Sequence, residues 1–403
     1  MMTETRWINP SMLRWARERL GLSLEDVEEA SRPLRRRYYT PVTAEQLARW
    51  EAGEEAPALE HLETLAEIYL CPVGWFFLDR PPEERIVLSF RGLKKGPESL
   101  SPKTRRALER FRDLARWTVD LLKHLELSWE VRVRPREISP DLSKAEAYAE
   151  NYRKRLGWTE EKQQELGGDP RGAFSWWRRV LEDLGIFCFE LRLNPEEVRG
   201  ASLWLEGYPF ILVNRADTEA DTGRLFTLLH EFAHLISSNE GFICDLHTDG
   251  HDRNPEPFAN RFAAQILLPR EVLRRRLQEL GITNPRKTWS DTQLDKIRNP
   301  FPVSRDVVAI RLEEMGLAPA GFYEEKRQRW QSRQPWGRGG QRPKQEEQKL
   351  QEMGHSFAHL LARSASHPGF SWIDVSDVLG MKVERIQEFL RRAEEAEETA
   401  PPR

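Results

Sequence analysis

Two histidines and a glutamate stand at a spacing that can serve one metal ion. In the run GRLFTLLHEFAHLI, His230 and His234 are four positions apart, so an α-helix places them one above the other on one face. Two imidazoles on one face can bind a single zinc ion, and Glu231 then lies beside the metal. This H-E-x-x-H arrangement is typical of zinc metallopeptidases, in which the glutamate is the general base toward the attacking water.

The residues around the motif favour a metal site over two ordinary core histidines. The flanking positions are apolar on nearly all sides, as in a buried helix, and they are Leu225, Phe226, Leu228, Leu229, Phe232, Ala233, Leu235 and Ile236. Burying two imidazoles and a carboxylate costs free energy unless something pairs with them, and a bound zinc ion would be that partner. We therefore predict that His230 and His234 bind zinc and that Glu231 is catalytic.

The third zinc ligand must come from farther along the chain, because a catalytic zinc takes three protein ligands and leaves one position open. The candidates are Cys244, Asp245, His247, His251, Asp252 and Glu256. Glu256 is favoured because it falls in the first turn of a helix opened by Pro255, where the backbone fixes the side chain and the helix dipole stabilises its charge. Asn260 follows one turn later and is predicted to orient Glu256 or a neighbouring ligand.

Three short apolar runs before the motif predict the strands that position it. These runs are IFCFEL, ASLWLEG and PFILVN, and together they predict a small antiparallel sheet beside the cleft. ASLWLEG is a candidate for an exposed edge strand that pairs with an extended substrate, although an ordinary hairpin strand fits equally well. The helix that carries the motif is expected to begin near Asp217 or Thr218.

The first 80 residues contain a second motif. A run of the form L-x-x-W-E-x-G-x-x-x-P-x-L-x-x-L-x-x-L-A resembles the helix-turn-helix of phage-repressor (XRE) type, carried by Leu47, Trp50, Glu51, Gly53, Pro57, Leu59, Leu62, Leu65 and Ala66. The resemblance implies that a helix at 43–52 enters the major groove of duplex DNA. Gln46 and Arg49 would then contact bases, and the phosphates would be contacted by Arg35, Arg36 and Arg37.

The charge of this segment also allows a different function. Acidic residues outnumber basic residues over positions 1–80, and phosphate binding asks for the reverse. A protein-docking or dimerisation domain therefore remains an alternative to a DNA-binding domain.

A family resemblance covers the metal motif. The runs FTLLHEFAHL and EPFANRFAAQILLP resemble the ImmA/IrrE metallopeptidases, whose signature joins an H-E-x-x-H helix to a downstream E-x-x-A-N-x-F-A-A-x-L-L-x-P. The likeness extends more loosely over about residues 140–320. It implies that His230, His234 and Glu256 bind zinc and that Glu231 is catalytic. Many members have a second acidic residue where this chain has Phe258, so Glu256 must supply the carboxylate.

The same resemblance implies a biological setting. An XRE-type domain ahead of the peptidase occurs in bacterial or phage regulators, and some relatives cleave a repressor of the same helix-turn-helix type. We therefore expect a zinc-dependent endopeptidase that cleaves a repressor-like regulator in a stress, mobile-element or defence response. The alternative is a transcriptional regulator or antitoxin-like binding protein whose peptidase fold is a sensor or docking platform.

Length and composition are consistent with a multidomain cytoplasmic protein. The 403 residues allow two or three domains, the formal net charge is -3, and no apolar run is long enough for a membrane segment. Three cysteines, Cys71, Cys188 and Cys244, are too few for a disulfide framework. The expected partners are a protein substrate and duplex DNA bound by residues 1–80, with no membrane and with homo-oligomers allowed.

The predicted fold class is mainly α and multidomain. An all-α helix-turn-helix domain (1–80) is followed by a connecting segment with one long helix (81–139). An α+β zincin-like metallopeptidase domain with a small antiparallel sheet comes next (140–325), and then a linker (326–347) that could be a basic arm. A small helical module (348–403) is expected to serve protein contact or dimerisation, and its His355, His359 and His367 are interpreted as ordinary helical residues.

Overall fold

The chain divides into two compact units. The first comprises residues 1–87 and 95–113, and the second comprises residues 88–94 and 114–403. The computed structural model describes residues 8–32, 34, 39–69, 71–82, 88–92, 100–194, 196–216, 220–238, 241–244, 255–282, 284, 286, 288–331 and 344–398.

The first unit is helical. Its helices are α1 (Pro10–Arg19), α2 (Leu24–Ser31), α3 (Ala44–Ala52), α4 (Leu59–Tyr69), a 3-10 helix (Val73–Phe77) and the first half of α5 (Pro102–His124). Ser23 and Thr43 cap α2 and α3, each in a capping box completed by the residue three positions later. Gly53 ends α3 in the left-handed region, with φ 73°.

A buried ion pair fixes α3 against α1. The Arg17 guanidinium donates from Nε and Nη2 to the two carboxylate oxygens of Glu51, both at 2.7 Å. Around this pair the core is made of the apolar residues of the repressor-like run, including Leu47, Leu62 and Leu65, all almost fully buried. The glutamate of the motif is therefore a structural residue of this unit.

The second unit contains the remaining elements. Its helices are α6 (Ala145–Arg155), α7 (Glu160–Glu165), α8 (Pro170–Asp183), α9 (Ala220–Ser237), α10 (Pro255–Leu267), α11 (Arg270–Glu279), α12 (Asp291–Arg298), α13 (Arg305–Glu314), α14 (Phe322–Gln331), α15 (Gln345–Ser364), α16 (Trp372–Leu379) and α17 (Val383–Glu398). Its strands are β1 (Leu88–Gly92), β2 (Phe187–Leu191), β3 (Gly200–Leu205), β4 (Tyr208–Asn214) and β5 (Gly241–Cys244). The mainly α fold class is thus confirmed.

The five strands form one mixed sheet in the order β1-β5-β3-β4-β2. β3 and β4 make a hairpin whose two turn residues, Glu206 and Gly207, both have positive φ, as a tight hairpin turn requires. The β3–β4 and β3–β5 pairs are antiparallel, as expected for this small sheet, whereas β2–β4 and β1–β5 are parallel. Two parallel strands must be joined by a long connection, so they are distant in the sequence. The alternation of apolar residues within one strand therefore does not show which strand it pairs with.

The expectation that ASLWLEG is an edge strand is wrong for its first half. β3 lies between β4 and β5, and β5 pairs with Gly200, Ala201 and Ser202. β5 lies between α9 and α10, in a stretch for which the sequence pattern predicts no strand. Its four residues are too short to show a strand pattern in the sequence.

The C-terminal helices belong to the second unit. α15 packs along β2 and α8, and α17 packs on α15. α15 is interrupted at Gly354, where φ is 79° and ψ is 169°. Among the described residues, none of the helices combines the length and the apolar composition that a membrane crossing requires.

Candidate metal centre

Helix α9 brings the two motif histidines together. It is buried nearly all round, so both imidazoles lie in the core, with His230 1% exposed and His234 0% exposed. One helical turn separates them, and their Nε2 atoms are 3.0 Å apart. The expected start of this helix near Asp217 or Thr218 lies outside the described residues, and the described helix begins at Ala220.

Helix α10 carries the third candidate ligand, the carboxylate of Glu256. Glu256 is in its first turn, and α10 packs against α9. The Glu256 Oε2 atom lies 3.1 Å from His230 Nε2, and its Oε1 atom lies 3.3 Å from His234 Nε2. His230, His234 and Glu256 therefore form one buried group whose ligand atoms face a common point. We call this group the metal centre.

The spacing of these atoms fits zinc. Ligand atoms around a tetrahedral zinc ion, with bonds of about 2.0–2.1 Å, lie roughly 3.3 Å apart. The three separations in the metal centre are 3.0, 3.1 and 3.3 Å. Two imidazole nitrogens and one carboxylate oxygen are also the donor set of a catalytic zinc site, which leaves a fourth position for water or substrate.

The charges of the metal centre act on one another strongly. Burial opposes ionisation of Glu256, but His234 and His230 outweigh it and hold the pKa of Glu256 far below its ordinary value. Burial also opposes protonation of His230, yet Glu256 and the neighbouring Asn260 raise the pKa of that imidazole. Opposite charge thus stabilises the contact between His230 and Glu256 in this buried group.

Glu231 lies beside the metal centre, against strand β3. The Ser202 hydroxyl donates a hydrogen bond to Glu231 Oε2 at 2.9 Å, and both residues are fully buried. Burial raises the pKa of Glu231, against the pull of His230 and His234. A carboxylate with a raised pKa and a neutral hydrogen-bond donor is suited to accept a proton.

Gly200 lets β3 approach this carboxylate. A Cβ atom at position 200 would lie 2.6 Å from Glu231 Oε1 and 2.7 Å from Thr227 Cγ2. Neither Gly200 nor Ser202 was predicted as a site residue. In the sequence, the small residues Gly-Ala-Ser at the start of β3 indicate that another part of the chain packs closely against this strand. They do not indicate that the approaching side chain is that of Glu231.

The other predicted ligands and contacts fall in different places. The side chain of Cys244 and the residues Asp245, His247, His251 and Asp252 lie outside what the structure describes. Asn260 is one turn after Glu256 and acts on His230, as noted above. Phe258 packs in the core of the unit and faces Tyr148 and Phe262.

The predicted DNA-contacting residues are in the first unit. The Gln46 side-chain oxygen accepts from the Thr43 backbone N–H at 3.0 Å, so it serves the cap of α3. Arg49 is paired with Glu55 at 3.0 Å. Arg35, Arg36 and Arg37 lie outside the described residues.

Family models match both regions of the chain. Residues 13–76 match the helix-turn-helix model, which covers α1 to α4. Residues 181–313 match the model described as IrrE N-terminal-like domain, which covers the stretch from the end of α8 into α13 and so contains the whole metal centre. The chain joins a helix-turn-helix domain to an IrrE N-terminal-like domain. The fusion predicted from the sequence is thereby confirmed, and a metallopeptidase-type domain is assigned to the second unit.

Neither the curated proteins nor the solved structures contain a match to the chain. The family assignment therefore rests on the two domain models.

Proposed function

We propose that the protein is a zinc-dependent endopeptidase that cleaves a repressor-like regulatory protein. The observation that carries the proposal is the metal centre itself. Three buried donors stand at the spacing of a tetrahedral zinc site, and a carboxylate with a raised pKa lies beside them. A merely structural zinc site has four protein ligands and needs no such carboxylate.

Each residue of the metal centre and its surroundings would have a separate role in the reaction. His230, His234 and Glu256 would hold zinc, which when bound lowers the pKa of a water molecule and polarises the scissile carbonyl. Glu231 would accept a proton from the attacking water and pass it to the leaving amine. Ser202 would hold the Glu231 carboxylate in position through its hydrogen bond, and Asn260 would orient His230.

The proposed substrate follows from the fusion of the two domains in one chain. The IrrE N-terminal-like domain is fused to a helix-turn-helix domain, and the family resemblance associates this fusion with cleavage of a repressor of the same type. The helix-turn-helix domain would bring the peptidase to duplex DNA on which such a repressor sits. Exposed residues of α3 near Arg49 would then face the groove, with Arg35, Arg36 and Arg37 near phosphates.

One observation favours a second function, that of a regulator with little proteolysis. The four side chains of the site, those of His230, His234, Glu256 and Glu231, are at most 1% exposed. β5 pairs with the start of β3, where Ser202 contacts Glu231. An extended substrate could add to β3 at this point only if β5 moved away. In a regulator of this kind, the same buried centre would sense or store zinc, and the second unit would be a docking platform.

Capture of the substrate by an inactive variant separates the two functions. Glu231→Gln keeps the zinc ligands and removes the proton acceptor, so it should hold its partner without cutting it. Partners captured from cells by this variant are identified by mass spectrometry and then incubated with the wild-type protein. The exposed Glu271→Gln on α11 is the matched control.

The endopeptidase function predicts a defined result. Wild type and Glu271→Gln cleave a captured partner at one site, and the rate with Glu231→Gln is lower by about 10²–10⁴-fold. Cleavage at full rate by Glu231→Gln would contradict the assignment of the base. Intact partners after incubation with zinc-loaded wild type would favour the regulator.

A further inference from the structure

A cavity of about 200 Å³ lies in the second unit, between the last turn of α8, the segment at 129–132 and one face of α15. We call it the α15 cavity. None of the residues that form the metal centre lines it, so it is a separate place where a ligand could bind. Pockets that enclose a drug-sized molecule measure about 300–1,000 Å³, so this cavity would enclose one part of such a ligand and leave the rest at its mouth.

A buried carboxylate lies at the inner end of the α15 cavity. Glu182, in the last turn of α8, is 5% exposed. Its Oε1 atom accepts from the His355 backbone N–H at 3.0 Å and lies 3.3 Å from Arg178 Nε. Its Oε2 atom is buried and has no hydrogen-bond partner in the part of the chain that the structure describes. Because burying a carboxylate oxygen without a donor costs free energy, a ligand that donates a hydrogen bond to Oε2 would be stabilised.

The imidazole of His355 offers a second polar contact in the α15 cavity. Its Nδ1 atom is also buried, without a hydrogen-bond partner among the described residues. Burial, Arg178 and Arg179 lower the pKa of His355 to about 4, so the ring is neutral near pH 7, with one nitrogen that donates and one that accepts. A carboxylate beside a neutral imidazole suits the edge of a heterocyclic ring, which carries N–H donors next to acceptor atoms.

One side of the α15 cavity is aromatic. The Trp129 ring stacks on Phe187 with 4.8 Å between the ring centroids and an interplanar angle of 23°. Its indole N–H donates to the Gly185 carbonyl at 3.0 Å. The indole is therefore fixed in orientation and its hydrogen bond is already made, so what it offers a ligand is a flat apolar surface. Such a surface favours a planar ring that stacks on it.

The remaining polar side chains of the α15 cavity include three arginines. Two of them, Arg132 and Arg179, already have carboxylate partners. The third, Arg363, is exposed and donates to the Ser128 carbonyl at 3.1 Å, and it has no carboxylate partner within the described ranges. An anionic group of a ligand would therefore be bound at Arg363, because a charge-assisted hydrogen bond from a guanidinium is stronger than one between neutral groups.

The length of the α15 cavity follows from the helix that lines it. His355, His359 and Arg363 follow one another at intervals of four residues, so they lie along one face of α15. A rise of about 1.5 Å per residue places the Cα atoms of His355 and Arg363 roughly 12 Å apart. A ligand that contacts both Glu182 and Arg363 must therefore be extended, with N–H donors at one end and an anionic group at the other. A single small anion cannot make both contacts.

The charges around Glu182 distinguish two extended ligands of this kind. In a short peptide, the donor opposite the terminal carboxylate is an ammonium group. Arg178 and Arg179 already act on Glu182, so an ammonium group would bring a third positive charge to this carboxylate. In a nucleotide, the donor is a neutral N–H of a planar base, which the Trp129 ring also favours. The nucleotide therefore fits the cavity better.

We propose that the α15 cavity binds a nucleoside monophosphate, with the base stacked on Trp129 and hydrogen-bonded to Glu182, and with the phosphate at Arg363. The site is separate from the metal centre and from the helix-turn-helix domain. It does not depend on peptidase activity, so either function can fail without the other.

Calorimetric titration of the full-length protein tests this site. The probes are AMP, GMP, CMP and UMP, the nucleoside of each, inorganic phosphate, and the dipeptide glycylglycine as the rival ligand. The variants are Arg363→Ala and Trp129→Leu, and the matched control is Arg171→Ala, at an exposed position in the first turn of α8. Melting temperatures show whether the variants fold. Trp129→Leu removes packing against Phe187, so the exposed Arg363→Ala decides the outcome if Trp129→Leu does not fold.

The proposal predicts that at least one of the four nucleotides binds wild type and Arg171→Ala with the same dissociation constant, below about 1 mM. Arg363→Ala should bind that nucleotide about ten-fold more weakly, and should bind its nucleoside as wild type does, because only the nucleotide has the phosphate. Trp129→Leu should weaken the binding of both by about ten-fold, because both stack on the ring.

Three results would overturn the proposal. The first is that none of the four nucleotides binds wild type below about 1 mM. The second is that a nucleotide binds equally well to wild type and to Arg363→Ala, which would place its phosphate elsewhere. The third is that inorganic phosphate or glycylglycine binds the α15 cavity as tightly as the best nucleotide, which would show that the base is not recognised.

Discussion

Two clusters of charged side chains are buried in the second unit, and the charge of their carboxylates is balanced in different ways. In the first, the metal centre, His230, His234 and Glu256 turn their ligand atoms toward one point. In the second, which we call the arginine cluster, Arg178 and Arg224 alternate with Glu190 and Glu182. Arg178 Nη1 lies 2.5 Å from Glu190 Oε1, and Arg224 Nη1 lies 2.6 Å from Glu190 Oε2.

The difference lies in where the balancing cation comes from. The arginine cluster contains its own guanidinium groups, so its carboxylates are paired within the chain, as buried charges must be. The metal centre has only imidazoles and a carboxylate, and its atoms stand at zinc spacing. Burial alone does not distinguish a structural cluster from a functional one, whereas the types and spacing of the donor atoms do.

The arginine cluster also explains how the C-terminal helices are attached. Arg178 donates to the Gln351 carbonyl at 2.5 Å, and the His355 backbone N–H donates to Glu182 Oε1 at 3.0 Å. Between them is Gly354, where a Cβ atom would lie 2.2 Å from Glu182 Oε1. Only glycine allows α15 to approach the cluster this closely and to adopt the positive φ of the interruption.

Loss of a zinc ligand should have the largest effect on function. His230→Ala leaves two donors, so we expect the protein to lose zinc and peptidase activity together. A chelator should lower the melting temperature of wild type, because zinc binds the folded state, and should leave His230→Ala unchanged. Metal content is measured by mass spectrometry. Full zinc occupancy in His230→Ala would break the distinction between the two clusters.

Loss of an arginine should instead affect stability alone. Arg178→Ala leaves Glu190 and Glu182 buried without their main partner, which is expected to lower the free energy of unfolding by about 3–5 kcal/mol. Zinc content per folded chain should stay at the wild-type value. Arg179→Ala, on the adjacent and more exposed side chain, is the control, with an expected cost of at most about 1 kcal/mol. Loss of zinc from folded Arg178→Ala would show that zinc binding at the metal centre depends on the arginine cluster, and would contradict the separation of the two clusters.

The positioning of the Glu231 carboxylate by Ser202 is a sharper test of the comparison. Glu182 and Glu190 contact guanidinium groups, whereas Glu231 accepts a hydrogen bond from the neutral Ser202 hydroxyl. Ser202→Ala should therefore lower kcat by about 10- to 100-fold, since a hydrogen bond to a charged group contributes about 1.5–3 kcal/mol, and should leave KM unchanged. Ser202→Thr should restore most of the rate. Equal losses in both variants would indicate a packing role.

The smallest effect concerns His355, beside the arginine cluster. Burial, Arg178 and Arg179 lower the pKa of His355 to about 4. The folded protein then binds this proton less tightly than the unfolded chain, so stability is retained above about pH 6.5 and lost as the pH falls toward 4. Glu182, whose pKa burial raises to about 7, acts in the opposite direction.

The contribution of His355 is obtained by comparing the free energy of unfolding of His355→Gln with that of wild type. The stability of His355→Gln relative to wild type should rise as the pH falls through this window, by at most about 3 kcal/mol. Denaturant unfolding at several pH values measures it, and His367→Gln at an exposed position is the control. A pH-independent difference between His355→Gln and wild type would contradict the lowered pKa.

The sequence predicts local features better than long-range ones. The spacing of His230 and His234 on one helix, and the helix start that fixes Glu256, follow from helical geometry, and the structure brings all three together. The caps at Ser23 and Thr43 are equally local. The placement of Ser202 against Glu231, the parallel pairing of β2 with β4, and the docking of Gly354 join residues distant in the chain. Their cause is tertiary packing, which one sequence does not reveal.

The length of an element also limits what the sequence reveals. β5 has four residues, and its pairing with β3 depends on the sheet that receives it. The arginine cluster is similarly hidden, because arginine and glutamate in helical segments usually predict solvated surface. Such residues become informative only when the partner that buries them is known.

The central claim is that the second unit binds zinc through two imidazoles and one carboxylate. X-ray absorption at the zinc edge of the purified full-length protein tests it most directly, together with the zinc-to-protein ratio. We predict one zinc per chain, with nitrogen and oxygen neighbours at about 2.0–2.1 Å and no sulfur. A sulfur neighbour at about 2.3 Å, which Cys244 could supply, or a spectrum unchanged in His230→Ala, would contradict the assignment.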